Sequence, residues 1–159
     1  MKRVLFVLVC AMIGFTAQAQ SNTDEVNLFQ SAYGMEKKQM ISDFMKITPA
    51  EATNFWLIYD EYEVARKEYG KKRVNNITEF AKNYSNLSPE KATEIMKVTF
   101  TAQHDFAKLL EKYFKKMSKS VSPMRAAQWA QVEMYLENVI RMQILDEIPI
   151  IGEFEKAKK

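Results

Sequence analysis

The 159-residue chain is poor in the residues that build chemistry and in those that break helices. It has one cysteine, one histidine, four glycines and four prolines. The cysteine, Cys10, lies in the apolar run Val4 to Ala17, behind Lys2 and Arg3. That run is too short to span a bilayer comfortably. It ends in Ala17-Gln18-Ala19, a small-x-small cleavage site, so residues 1–19 read as a secretory signal peptide, with the mature chain starting at Gln20 and exported to the periplasm. Val9 before Cys10 is not the small residue that a lipidation signal wants. Once the signal is gone the chain has no disulfide and relies on its core. No later run suits a membrane, so none inserts after cleavage. Losing Lys2 and Arg3 lowers the cations from 23 to 21 against 20 acids, and the net charge falls from +3 to +1. The balance gives no footing to a nucleic-acid role.

Enzymatic equipment is also missing. A catalytic site needs a nucleophile, an acid–base pair, a metal or a cofactor loop. The mature sequence has no cysteine and no glycine-rich phosphate loop. His104 stands beside Asp105 and Gln103 and reads as an ordinary surface or boundary residue. Glu61 and Glu63 fall on opposite sides of a helix. One histidine cannot make a zinc or nickel site within one subunit. Methionine is plentiful but scattered at core-like positions, which favours packing over copper(I) ligation. No catalytic residue, cofactor or metal is assigned, and the chain is read as a non-enzyme.

What is present is helix. With so few breakers and long periodic runs the fold class is all-α: four helices, one of them long with a bend expected near its middle, in an elongated or cradle-like bundle. Residues 20–152 form the helical domain and 153–159 a charged tail. Asp24 to Lys46 is the first helix, with Gly34 as an interior weakness. The second begins at Thr48-Pro49, with Glu51 placed for a capping box, and meets no proline before Pro89. Run to Tyr84, it would be ~50 Å long. Gly70 and Asn75-Asn76 make a bend plausible there. Ser88-Pro89 starts the third helix, to about Lys119, and Ser122-Pro123 the fourth, ending at Ile148-Pro149. Lys108, Lys112, Lys115 and Lys119 make a basic stripe that reads as a solvated face.

The seam of the long helix is unusual. Alternating steps of four and three from Ala52 give Trp56, Tyr59, Glu63, Arg66, Gly70, Arg73, Ile77, Phe80 and Tyr84. Two readings stand. In one, the helix drifts in phase, Glu63, Arg66, Gly70 and Arg73 face water, and Tyr62 and Tyr69 take over the packing. In the other, the polar middle faces a groove, and Thr99 and Gln103 of the third helix face it too. The groove reading makes Tyr62, Arg66, Lys67, Tyr69, Lys71, Lys72, Arg73, Gln103 and Phe106 the client-binding residues. A buried polar network that fixes helix register is the equal alternative for the same residues. The fourth helix is apolar nearly all round, from Trp129 to Leu145, with Glu133, Glu137 and Arg141 as its main polar strip. Such a helix is expected at the centre of the fold or at a subunit interface.

Three helix starts share one plan: Ile47-Thr48-Pro49-Ala50-Glu51-Ala52, Leu87-Ser88-Pro89-Glu90-Lys91-Ala92 and Val121-Ser122-Pro123-Met124-Arg125-Ala126. Each reads aliphatic, hydroxyl, proline, two variables, alanine. With Phe55, Trp56, Tyr59 and Tyr62 in an F-W-x-x-Y-x-x-Y pattern, and an Ile-Pro end at Pro149, the chain from Met40 to Ile151 resembles a divergent branch of the Spy/CpxP family of periplasmic helical proteins. That family's start motif ends in glutamine, where this chain has Ala52, Ala92 and Ala126. The resemblance implies a small helical protein, a homodimer, acting as an ATP-independent chaperone for unfolded or partly folded clients on a curved surface. The alternative it implies is an envelope-stress or metal-responsive regulator that docks on a membrane sensor or anti-sigma factor.

Overall fold

The computed structural model describes residues 33–149 and residue 151. The expected signal peptide, the start of the first helix and the charged tail lie outside them. Four helices and no strand occur among the described residues. Residues 33–45 are helical (α1), followed by α2, Pro49–Asn83, a 3-10 turn, Tyr84–Asn86, α3, Pro89–Ser120, and α4, Pro123–Glu147. The chain divides into two compact units, Met1–Met40 and Ile41–Lys159. Helices α2, α3 and α4 all belong to the second.

The shared helix starts do the work their residues imply. Each has its proline in the first turn and a hydroxyl residue as N-cap. Ser88 Oγ accepts from the Lys91 N–H at 3.2 Å, and Ser122 Oγ from the Arg125 N–H at 3.2 Å. At α2 the Glu51 carboxylate reaches back instead, accepting from the Thr48 N–H at 3.0 Å and the Thr48 hydroxyl at 2.7 Å. A clamp then fixes where α2 and α4 begin. Arg125 donates from Nε and Nη2 to the two oxygens of Glu51 at 2.9 and 3.1 Å, and from Nη1 to the Met45 carbonyl at 2.8 Å.

At 35 residues, α2 is ~52 Å long, since each residue advances 1.5 Å. Its helical bonding continues through Gly70 and Asn75-Asn76. Tertiary contacts offset the poor propensity there. Tyr69 packs on Phe106 of α3 with ring centroids 5.1 Å apart, and Asn76 Nδ2 donates to the Ile95 carbonyl at 3.2 Å and Thr99 Oγ1 at 2.9 Å. Thus Asn76, a weak helix former, pins the register of α2 against α3.

One aromatic core joins the helices of this unit. Phe55, Ile58, Tyr59, Tyr62 and Tyr69 come from α2, Phe106, Leu110, Tyr113 and Met117 from α3, and Ala126 and Trp129 from α4. Tyr62 sits at the crossing, edge-on to Trp129 at 4.9 Å and to Tyr113 at 5.6 Å. No described helix is long and apolar enough to cross a membrane.

Candidate functional site

The polar middle of α2 turns inward. Glu63 and Arg66 are buried, and Gly70 and Arg73 are half-buried, so the expectation that these four face water is corrected. The same reading placed Tyr62 and Tyr69 in the packing, and there they are. The physical reason lies on α4. Its strip of Glu133, Glu137 and Arg141, one helical turn apart, meets the strip on α2. Tyr62 donates its hydroxyl to Glu133 at 2.9 Å and Tyr69 to Glu137 at 3.3 Å. Arg73 Nη2 pairs with Glu137 at 2.5 Å, and Arg141 Nη2 lies 3.9 Å from the same carboxylate oxygen. Arg66 Nε bonds both oxygens of Glu63 at 3.0 and 3.1 Å. Arg73 also lies 4.9 Å from the centre of the Tyr69 ring. Buried charges persist only when paired and hydrogen-bonded, and here Glu63 pairs with Arg66, Glu137 with Arg73, and Glu133 accepts from Tyr62. Burial, and next the Glu133 charge, push the Tyr62 hydroxyl well above the ordinary phenol range.

This layer divides the nine residues that the groove reading grouped. Tyr62, Arg66, Tyr69 and Phe106 are buried, and Arg73 is turned onto Glu137. Lys72 and Gln103 are exposed, Lys67 is half-exposed, and Lys71 is half-exposed beside Glu68 at 3.0 Å. Between α2 and α3 there is a shallow notch of about 160 Å3, lined by Ala65, Tyr69, Lys72, Ala102, Asp105 and Leu109. It is smaller than ordinary ligand pockets. Lys108, Lys112, Lys115 and Lys119 are exposed, as a solvated stripe would be. His104 is exposed too, and no group of three His, Cys, Asp or Glu side chains suited to a metal occurs among the described residues.

For the last helix, the centre of the fold is corrected and the subunit interface is not. Because the Glu133 strip faces inward, one side of α4 is left uncovered among the described residues. Its buried positions are Ala126, Trp129, Glu133, Leu136 and Glu137. The opposite face leaves Met124 70%, Met134 49%, Tyr135 67%, Met142 57% and Leu145 59% exposed. Ala127, Gln131 and Asn138, also exposed, share that face by helical spacing. From Met124 to Leu145 these outward positions carry no charge, in a protein 27% charged overall. Sequence alone marks Met134, Tyr135, Met142 and Leu145 as apolar and assigns them to packing. A signal for their exposure exists: the four-residue spacing of Glu133, Glu137 and Arg141 matches a strip of donors on α2.

No known protein family, curated protein or solved structure matches this chain.

Proposed function

We propose that this is an exported, periplasmic, ATP-independent chaperone-like protein that holds unfolded or partly folded polypeptide against the outer face of α4. The observation that carries the reading is that face: about six turns of helix with large, apolar, exposed side chains and no charge. Three features support a polypeptide occupant. Thioethers and tyrosine adapt to many shapes, as promiscuous binding surfaces require. Absence of charge lets the face accept segments of either sign. Gln131 and Asn138 can hydrogen-bond the backbone of an extended segment. The related helix starts, shared in kind with the Spy/CpxP family, point the same way.

The test is suppression of aggregation of a standard unfolding client by the mature protein at near-stoichiometric ratio. Wild type is expected to suppress it, and a Tyr135→Asp, Met142→Asp variant to lose most of the effect. No suppression by wild type at low or high salt would sink the proposal. Stoichiometric capture of one envelope sensor protein, without client holding, would move the reading to a regulator. Concentration-dependent dimerisation that the Asp variant abolishes would assign the face to a second copy of the chain.

A further inference from the structure

We infer that Met124, Met134 and Met142 are the oxidation-sensitive groups of the α4 face, and that their conversion to sulfoxides releases what the face holds. The second half rests on the client-holding reading above; the first half stands alone.

Eight methionines fall among the described residues, and they separate sharply. Met45 and Met117 are buried in the aromatic core. Met35, Met40 and Met96 are exposed on α1 and α3. Met124, Met134 and Met142 are exposed together on one face of one helix. Met124 and Met142 lie about five turns apart at nearly the same angle, and Met134 flanks the line between them. They are three of the five large apolar side chains exposed on that face, whose charge is confined to its end, at Asp146. The opposite face of α4 is locked by Trp129, Glu133 and Glu137, so altering the outer side chains leaves the core intact.

The step needs a peroxide as co-reactant. The thioether sulfur attacks one peroxide oxygen, an S–O bond forms and the O–O bond breaks. Sulfur gives up two electrons, and the departing oxygen leaves as hydroxide and takes up a proton to become water. The product is a polar, chiral sulfoxide where a flexible apolar group stood. A client docked there would bury up to three strong dipoles without defined partners. Holding should weaken by at least about tenfold. Methionine sulfoxide reductases reverse the change, so the face can be restored.

The experiment treats full mature protein with hydrogen peroxide and maps sulfoxides by mass spectrometry. Binding of an environment-sensitive hydrophobic dye, client holding and thermal unfolding are read in parallel. The expected result is early modification of Met124, Met134 and Met142 ahead of Met45 and Met117, dye binding and client holding down at least about tenfold, and an unchanged melting temperature. A Met124→Leu, Met134→Leu, Met142→Leu variant should keep both activities under peroxide. A Met35→Leu, Met40→Leu, Met96→Leu variant should lose them as wild type does. Equal loss in the two variants, or α4 methionines that stay reduced while Met45 and Met117 oxidise, would overturn the inference. If untreated protein holds no client, the proposed function falls. The dye measurement then still decides the inference, because an unchanged dye signal after complete α4 oxidation would refute it.

Discussion

The two faces of α4 invert the usual arrangement of a surface helix. Inside, Glu133 and Glu137 meet Tyr62, Tyr69 and Arg73. Outside, Met134, Tyr135, Met142 and Leu145 meet water. A helix is placed by what its neighbour offers, and α2 offers Tyr62, Tyr69 and Arg73 along its seam. An aliphatic stripe against that seam would leave buried charges and hydroxyls without complements, at roughly 1–3 kcal/mol for each polar group and more for a charge. Leaving a half-exposed methionine in water forfeits only about 1–2 kcal/mol of burial. The polar match, together with the burial of Ala126, Trp129 and Leu136 on the same side, therefore sets which side of α4 faces in, and Met134, Tyr135, Met142 and Leu145 are left outside. Within the inner face the parts differ as well: Trp129 contributes packing, and the carboxylates contribute orientation.

Truncating the packing part should have the largest effect. Trp129 is fully buried and makes edge contact with Tyr62. Trp129→Ala should destabilise the fold by about 3–5 kcal/mol, read by chemical denaturation. A loss under about 1 kcal/mol would mean that α4 is not held by this anchor.

Next comes the polar part. Glu137→Ala leaves Arg73 and Arg141 facing each other with no acid between them. About 3 kcal/mol should be lost. Replacing Arg73 with Met in the same background should restore part of that, because the uncompensated buried charge is removed. Additive losses in this double-mutant cycle would mean that the pair is not coupled, and the orientation argument for α4 would fail.

The same contrast explains what could be read from sequence. Helix positions were legible, because Thr48-Pro49, Ser88-Pro89 and Ser122-Pro123 are local signals that need no tertiary partner. The all-α class was legible for the same reason. Tyr62 and Tyr69 are buried as the drift reading expects, but Glu63 and Arg66 are buried as well, as the alternative of a register-fixing polar network expects. The orientation of α4 was not legible, because hydrophobicity summed over one helix sends its apolar majority inward. Only the matching of Glu133 and Glu137 to Tyr62, Tyr69 and Arg73, 64 to 71 residues away, turns the two carboxylates inward beside Trp129 and leaves Met134, Tyr135, Met142 and Leu145 outside. Gly70 and Asn75-Asn76 were legible as weak points but not as tolerated ones, since the contacts of Tyr69 and Asn76 with α3 are non-local.

A smaller, pH-dependent effect belongs to the clamp at the start of α2, on the same inner side. The hydrogen bonds from Arg125, and then those from Thr48, hold the Glu51 carboxyl at about 2 against an ordinary 4.5. A carboxylate whose folded value is depressed stabilises fully above its unfolded value, and the benefit disappears as pH falls through the folded one. Thermal unfolding from about pH 5 down to about pH 2 should therefore converge for wild type and Glu51→Gln, with wild type more stable at the upper end. Parallel curves across that range would show that the clamp adds no stability through its charge.

The smallest expected effect on stability falls on the outer face, where the largest effect on function is proposed. Tyr135 and Met142 contact mainly solvent, so Tyr135→Asp with Met142→Asp should change unfolding free energy by no more than about 0.5 kcal/mol per site. The new acids sit in the middle and last third of α4, so repulsion from its C-terminal dipole is confined to a few tenths of a kcal/mol. If this variant keeps its melting temperature and far-UV spectrum yet loses client holding, the two faces are functionally separate. A large destabilisation would show instead that the outer face is covered in the free protein, and the contrast between a locked inner side and a bare outer one would collapse.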